Sequence, residues 1–189
     1  MNNIMIRLLA LFTMFIIAIM VTTDRPIETV SIAIELPYIE STPYRQWNIP
    51  YPVSQEEIYC LALNTYFEAQ GEVPDGQFAV ADVVMFRVNH GRYPDSICGV
   101  IKKGVYPAWS TDMPIKDRCH FSWYCDRKPD DPVNGQAFAA AMYVAETVLN
   151  DPKYIPVIEY GLFYHNKQVN PYWAEGEVII ADIGNHLFY

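Results

Sequence analysis

The pattern of hydrophobic and polar positions changes period several times along this chain, and the changes divide it. Leu8 to Thr23 is an uncharged, mostly apolar run with no polar face. From 26 to 52 the periodicity disappears under Pro26, Pro37, Pro43, Pro50 and Pro52. A segment so interrupted is extended rather than helical, with Ile32 to Leu36 as its one candidate for a short strand. At Ser54 the pattern turns helical. Ser54 followed three places later by Glu57 is a capping box, with the hydroxyl on a backbone N–H and the carboxylate reaching back to the cap. Ile58, Leu61, Ala62 and Thr65 then share one face, Gly71 ends the helix, and Glu68 falls in its last turn. A second helix starts at Pro74, a residue suited to a first turn, and runs to Gly91. Apolar groups surround most of its circumference, which places it in the core; its length outweighs the strand preference of its valines. Residues 92 to 130 are punctuated by Pro94, Gly99, Gly104, Pro107 and Pro114, and an irregular stretch of that length in a compact domain is usually functional or unstable. A third helix is predicted from Pro132 to Leu149, with Ala137, Phe138, Ala141, Met142, Ala145, Val148 and Leu149 as its core stripe and Asn150-Asp151-Pro152 as its stop. The last forty residues hold short apolar runs, Gly161 to Tyr164 and Val178 to Ile183, which suggest a small antiparallel element. Three segments follow: a leader over 1–23, a Pro-rich tether over 24–53 and one domain over 54–189.

Composition and charge add an address. At 189 residues and 51% hydrophobic content the chain fits one domain plus a leader. Arg7 and the chain's amine precede the apolar run and Asp24 follows it, which predicts the N-terminus inside and the remainder outside. A cleaved signal peptide wants small residues before the cut, and Ala18-Ile19-Met20 and Val21-Thr22-Thr23 are poor sites. An uncleaved anchor extending back to Ile4 is just long enough to span a bilayer and is the preferred reading. Either way the domain is exported, held on the inner membrane facing the periplasm or wall, or secreted if the leader is cut. Four cysteines agree with export. They allow three complete pairings among which sequence does not choose, though a disulfide involving Cys119 or Cys125 is favoured. The net charge of −9 repels phosphate backbones, so no nucleic-acid partner is expected.

The candidate chemistry centres on Glu68. A lone helical glutamate is ordinarily a solvated charge, but this one sits beside Tyr66 and Phe67 at a helix C-terminus. Rings lower the local dielectric and the helix end carries partial negative charge, and both favour the neutral acid. A carboxylic acid kept protonated near neutral pH is what cleavage of a glycosidic bond requires. Glu72, past the glycine, suits the bonding of loop amides better than a second catalytic role. His90, His120, His165 and His186 show no His-Glu-x-x-His or similar spacing, and no Cys-x-x-Cys pair occurs, so no metal or other cofactor is expected. Cys119 beside His120 is a conceivable nucleophile pair, opposed by export and disulfide formation. No nucleophile elbow or phosphate-binding loop is present. Phe121-Ser122-Trp123-Tyr124, Tyr164-His165 and Trp173 lie near breaks, where rings are either core filler or platforms for sugar stacking.

At this point the residues resemble the SleB/CwlJ cell wall hydrolases over some seventy per cent of the chain, from Glu56 to Tyr189. The matching blocks are Tyr66-x-Glu68-Ala69-x-Gly71-Glu72, then Gly76-Gln77-x-Ala79-Val80-Ala81-x-Val83-Val84-x-x-Arg87-Val88, and Tyr93-Pro94-x-Ser96-Ile97-Cys98-Gly99-Val100. Phe121-Ser122-Trp123, Tyr164-His165, Trp173-Ala174 and Gly184-x-His186-x-Phe188-Tyr189 complete the series. Each block is weak alone; seven in order are specific. The resemblance implies a mainly helical α+β domain, lysozyme-like in the goose-type and lytic-transglycosylase manner, with a small antiparallel β element. It implies peptidoglycan glycan strands as substrate and Glu68 as the catalytic acid. It also implies substrate contacts from Tyr66, Glu72, Gln77, Phe121, Ser122, Trp123, Tyr164, His165, Trp173 and His186. The chain departs from the family at Gln70, often arginine, and at Asp82, usually small or apolar. With one strong acid and no evident nucleophile, the expected outcome is lytic transglycosylation, with muramidase action if water attacks instead. An amidase using His120, His165 or His186 on zinc, and a non-catalytic wall-binding protein, are the rivals. Relatives act in spore-cortex breakdown, wall remodelling and phage lysis, and an anchored, compact lytic domain suits the last.

Overall fold

A computed structural model describes residues 47–49 and 52–189. The leader, its expected membrane anchoring, nearly all of the tether and the strand predicted at Ile32 to Leu36 lie outside the described residues. Among those described, no helix is long and apolar enough to cross a membrane.

The first helix, α1, spans Gln55–Ala69. Ser54 caps it as the sequence predicts, its hydroxyl accepting from the Glu57 N–H at 3.2 Å. The other half of the capping box is absent. Glu57 instead accepts from Ile97 N at 2.6 Å and Cys98 N at 3.4 Å, serving the start of α3, Ile97–Ile101. Those N–H groups are partly buried orphans of a helix start, whereas the start of α1 is exposed to water, so the carboxylate satisfies the groups that solvent cannot reach. The Cys60–Cys98 disulfide fastens the same two helices.

Helix α2 is Pro74–Val88, with Pro74 in its first turn. Eleven of its residues are buried, on every side, as the all-round apolar pattern predicts. Asp82 is wholly buried among them. Its carboxylate accepts from the Tyr154 hydroxyl and the Val157 N–H, both at 2.8 Å, and so pins the segment that follows the last long helix. That helix, α4, is Gly135–Asn150 and starts later than Pro132 because Asn134 caps it, its side chain accepting from Ala137 N at 3.1 Å. Ala141, Ala145, Val148 and Leu149 are buried as expected, together with Val144, while Ala137, Phe138 and Met142 are half-buried. Helix α1 packs against α2, α3 and α4 alike, which makes it the central strut.

The segment predicted irregular holds α3 and a 3-10 turn at Ser122–Cys125, both too short for a period to register. Cys119 and Cys125 form a second disulfide, and a backbone bridge pairs Gly104 with Cys119. A Cβ at Gly104 would lie 3.0 Å from the Cys119 Sγ, so the close approach needs glycine there.

The C-terminal element is an antiparallel sheet of β1 (Tyr164–Asn166), β2 (Ala181–Ile183) and β3 (His186–Phe188), in the order β1-β3-β2. Tyr164 and Ala181 both pair with Phe188, whose side chain is fully buried. The predicted run Val178 to Ile183 contains β2 whole, Gly161 to Tyr164 reaches only the first residue of β1, and β3 lies outside both. Val178, Ile179 and Ile180 stay exposed, although the Ile180 N–H donates to the Phe188 carbonyl at 2.9 Å. The fold is the mainly helical, lysozyme-like α+β class that the sequence implies.

Candidate active site

Glu68 lies in the last turn of α1, one helical turn beyond Asn64. Between them Phe67 stacks on Trp123, centroids 4.7 Å apart, while the Tyr66 ring meets Phe67 edge-on. The Trp123 indole N–H donates to the Asn64 side-chain oxygen at 3.0 Å. Ring and hydrogen bond together clamp the 3-10 turn onto α1. From the sheet, Tyr164 on β1 brings its hydroxyl to donate to Glu68 Oε2 at 3.1 Å.

Burial raises the pKa of Glu68 above the ordinary carboxyl value, and the Tyr164 hydrogen bond and the charge of Arg87 only partly oppose it. The Tyr164 hydroxyl is itself pushed well up, by burial first and by Glu68 next. Arg87, in the last turn of α2, is 6% exposed. Its Nε donates to the Leu162 carbonyl at 2.8 Å, and its guanidinium lies 5.0 Å from the Phe121 ring centre and 5.5 Å from that of Tyr93. Its Nη1 and the Asn64 Nδ2 are buried without partners among the described residues. A carboxyl shifted toward its neutral form, a buried phenol and a buried cation thus lie together.

Behind this wall runs a brace. Glu72 accepts from the Asn185 backbone N–H at 2.8 Å and from its side-chain amide at 3.1 Å. His186 Nδ1 lies 3.4 Å from the same carboxylate. Burial lowers the His186 pKa despite that carboxylate, so a neutral ring is favoured. The His186 ring in turn packs edge-on against Tyr164, centroids 5.3 Å apart. Gly184 has φ +56°, and a Cβ there would collide with Glu72; only glycine permits this turn.

Several residues expected to line a substrate cleft sit elsewhere. Tyr66 is 2% exposed and its hydroxyl accepts from Asn134 N at 3.1 Å, so it is core. Phe121 is buried under Arg87. Glu72 and His186 are enclosed in the brace, and Gln77 donates to the Glu72 carbonyl at 3.2 Å. Ser122 is exposed, and Trp123 is half-buried beside Glu68. His165 and Trp173 gather on the other side of β1, where the His165 ring stacks on Tyr189 and its Nε2 lies 3.0 Å from the Tyr189 hydroxyl. Cys119 is bonded to Cys125, which removes the thiol–histidine pair. Among the described residues no cluster of three His, Cys, Asp or Glu side chains has metal-site geometry.

A family model described as cell wall hydrolase matches residues 71–189. The chain belongs to the cell wall hydrolase family. That match begins at Gly71, so it takes in Glu72, Arg87, Tyr164 and His186 but stops three residues short of Glu68. Spore cortex-lytic enzymes of Oceanobacillus iheyensis and Bacillus subtilis are 44% and 43% identical to it over 54 residues, 29% of this chain in each case. These stretches cover 20% and 18% of the two relatives, so the chain spans about a fifth of their length. Among solved structures, the catalytic domain of the germination-specific lytic transglycosylase SleB from Bacillus anthracis superposes with a TM-score of 0.52 at 26% identity. That match covers 74% of this chain and 98% of the other.

Two members of the wall in this cell wall hydrolase carry no role in the sequence reading. Arg87 falls within a matching block, and the signal available was a lone cation in an otherwise apolar helix. Asn64 offers a similar signal, a polar residue one turn ahead of Glu68 on a face otherwise buried.

Proposed function

We propose that this chain cleaves the β-1,4 bond between N-acetylmuramic acid and N-acetylglucosamine in peptidoglycan, as a lytic transglycosylase with Glu68 as acid and then base. The observation that carries the reading is the Glu68 carboxyl, its pKa raised by burial and its Oε2 hydrogen-bonded by Tyr164. Glu68 gives its proton to the glycosidic oxygen, and the bond from that oxygen to C1 of muramic acid breaks. The substrate's acetamido carbonyl supports the oxocarbenium-like centre, one of the exceptions to the two-carboxylate scheme. Glu68, now ionised opposite Arg87, takes the proton of the C6 hydroxyl as that oxygen closes on C1, leaving a 1,6-anhydro end. Glu72 is occupied in its brace, which favours an intramolecular hydroxyl over an enzyme nucleophile. The SleB domain with which this chain superposes is described as a lytic transglycosylase, which agrees. The two disulfides suit an exported protein, and an envelope location with a role in cell lysis is part of the proposal.

Digestion of purified sacculi by wild type and Glu68→Gln tests it, with product masses read for anhydro ends. Wild type should release anhydro-muramyl saccharides and the variant none, because an amide donates no such proton. Hydrated reducing ends would replace this reading with a muramidase, and released stem peptides with an amidase. Unchanged action of Glu68→Gln on cells would leave a wall-binding protein.

A further inference from the structure

Successive residues at the start of β1 serve two different places. Tyr164 faces Glu68, whereas Phe163 and His165 on either side of it both reach Trp173, at centroid distances of 5.7 and 5.6 Å, as strand alternation requires. Beyond Trp173 opens a groove of about 400 Å³ lined by Tyr160, Leu162, Phe163, Trp173, Glu177 and Tyr189. Its walls are rings and one aliphatic side chain, with Tyr160 50% and Phe163 42% exposed. The one charged side chain in it is Glu177, which forms no ion pair among the described residues.

We propose that this groove binds the diamino acid of the peptidoglycan stem peptide, its aliphatic chain on the rings of Trp173, Phe163 and Tyr160 and its terminal ammonium on Glu177. The inference rests on the peptidoglycan reading of the Glu68 site. A glycan strand cleaved at Glu68 lies on the Tyr164 side of β1. The groove lies on the other side of that strand, so what reaches it is a branch and not the next sugar. The stem peptide is that branch, joined to muramic acid through a lactyl ether. An apolar slot with a single carboxylate matches a methylene chain ending in a cation. A sugar ring would instead leave many hydroxyls facing walls that offer few partners. Aromatic groups next to a lone acid also favour an ammonium over the stem's carboxylates, which Glu177 repels; diaminopimelate carries a carboxylate on the carbon that bears its terminal ammonium, so lysine is the better fit of the two.

The test uses direct binding, so that it does not depend on catalysis. The full-length chain carrying Glu68→Gln is titrated against a fluorescently labelled stem tripeptide ending in diaminopimelate or lysine, read by anisotropy. Saturable binding is expected at millimolar concentrations. Acetylating the side-chain amine, or adding Glu177→Gln, should weaken it about two- to fivefold, as for an exposed ion pair. Trp173→Ala should weaken it about tenfold. Glu177 is exposed, so its substitution leaves the fold intact even if that of Trp173 does not. Absence of saturation, or equal affinity for the acetylated peptide and for Glu177→Gln, would overturn the assignment. Sacculus digestion by wild type reports separately on the Glu68 chemistry, so either idea can fail alone.

Discussion

Two opposed effects act on Glu68, and substitution at Tyr164 separates them. Its hydroxyl donates to the carboxyl oxygen and so stabilises the ionised form, while burial favours the neutral one. Removing the hydroxyl with Tyr164→Phe should therefore raise the Glu68 pKa further. The alkaline limb of the kcat/KM profile, where the acid is lost, moves to higher pH. The plateau falls, on the order of tenfold, because the carboxylate formed on proton transfer loses a donor worth roughly 1.5 kcal/mol. A limb that moves to lower pH would contradict the hydrogen-bond direction. Arg87 acts with the same sign through its charge, from a position where desolvation already works against it. Arg87→Lys keeps the charge but not the planar fork, and should shift the limb less than Arg87→Met; parallel melting curves separate this from loss of packing.

At the scale of elements, two carboxylates hold segments together, Asp82 inside the core and Glu57 at the start of α3. Burial lifts Asp82 from its ordinary 3.8 to about 6, against the hydrogen bonds from Tyr154 and Val157. The folded form therefore keeps a proton that the unfolded chain has released across that window. The associated stability is present below the unfolded value and is lost as pH rises through the folded one. The loss is about 3 kcal/mol at most. Melting temperatures should fall between pH 4 and pH 6 for wild type and stay flatter for Asp82→Asn. Glu57→Ala leaves the start of α3 unsatisfied and should cost about 1 kcal/mol by chemical denaturation. These elements also show what sequence carries. The three long helices are legible because periodicity, a Ser54 cap and a Pro74 start agree over fifteen or so residues. Helix α3 and the Ser122–Cys125 turn are not, since five and four residues hold less than two turns. Within the candidate site, Glu68 is legible from its rings and helix end. Tyr66, Phe121 and His186 are assigned to a cleft because an aromatic or imidazole block reads alike in core or surface. Only tertiary packing decides, and it buries all three.

Across the whole molecule, covalent links divide the labour of stability unequally. Cys60–Cys98 spans 38 residues and Cys119–Cys125 only 6. Chain-entropy arguments give about 4 kcal/mol for the first and about 2 kcal/mol for the second. Double serine variants should lower the denaturation midpoint in that order, with the Cys60/Cys98 pair the more damaging.

The brace from Glu72 to Asn185 and His186 also sets an order of assembly. The four α-helices α1 to α4 precede the sheet along the chain, yet Glu68 receives its hydroxyl partner from β1, whose one strand partner among the described residues is β3. A ribosome that has delivered all of α1 to α4 has therefore produced Glu68 without its Tyr164 partner. A chain clipped before His186 stays in the same condition. If the proposed activity holds, its centre is the part of the chain assembled last. Its activity becomes a test of whether translation reached the end of the fold.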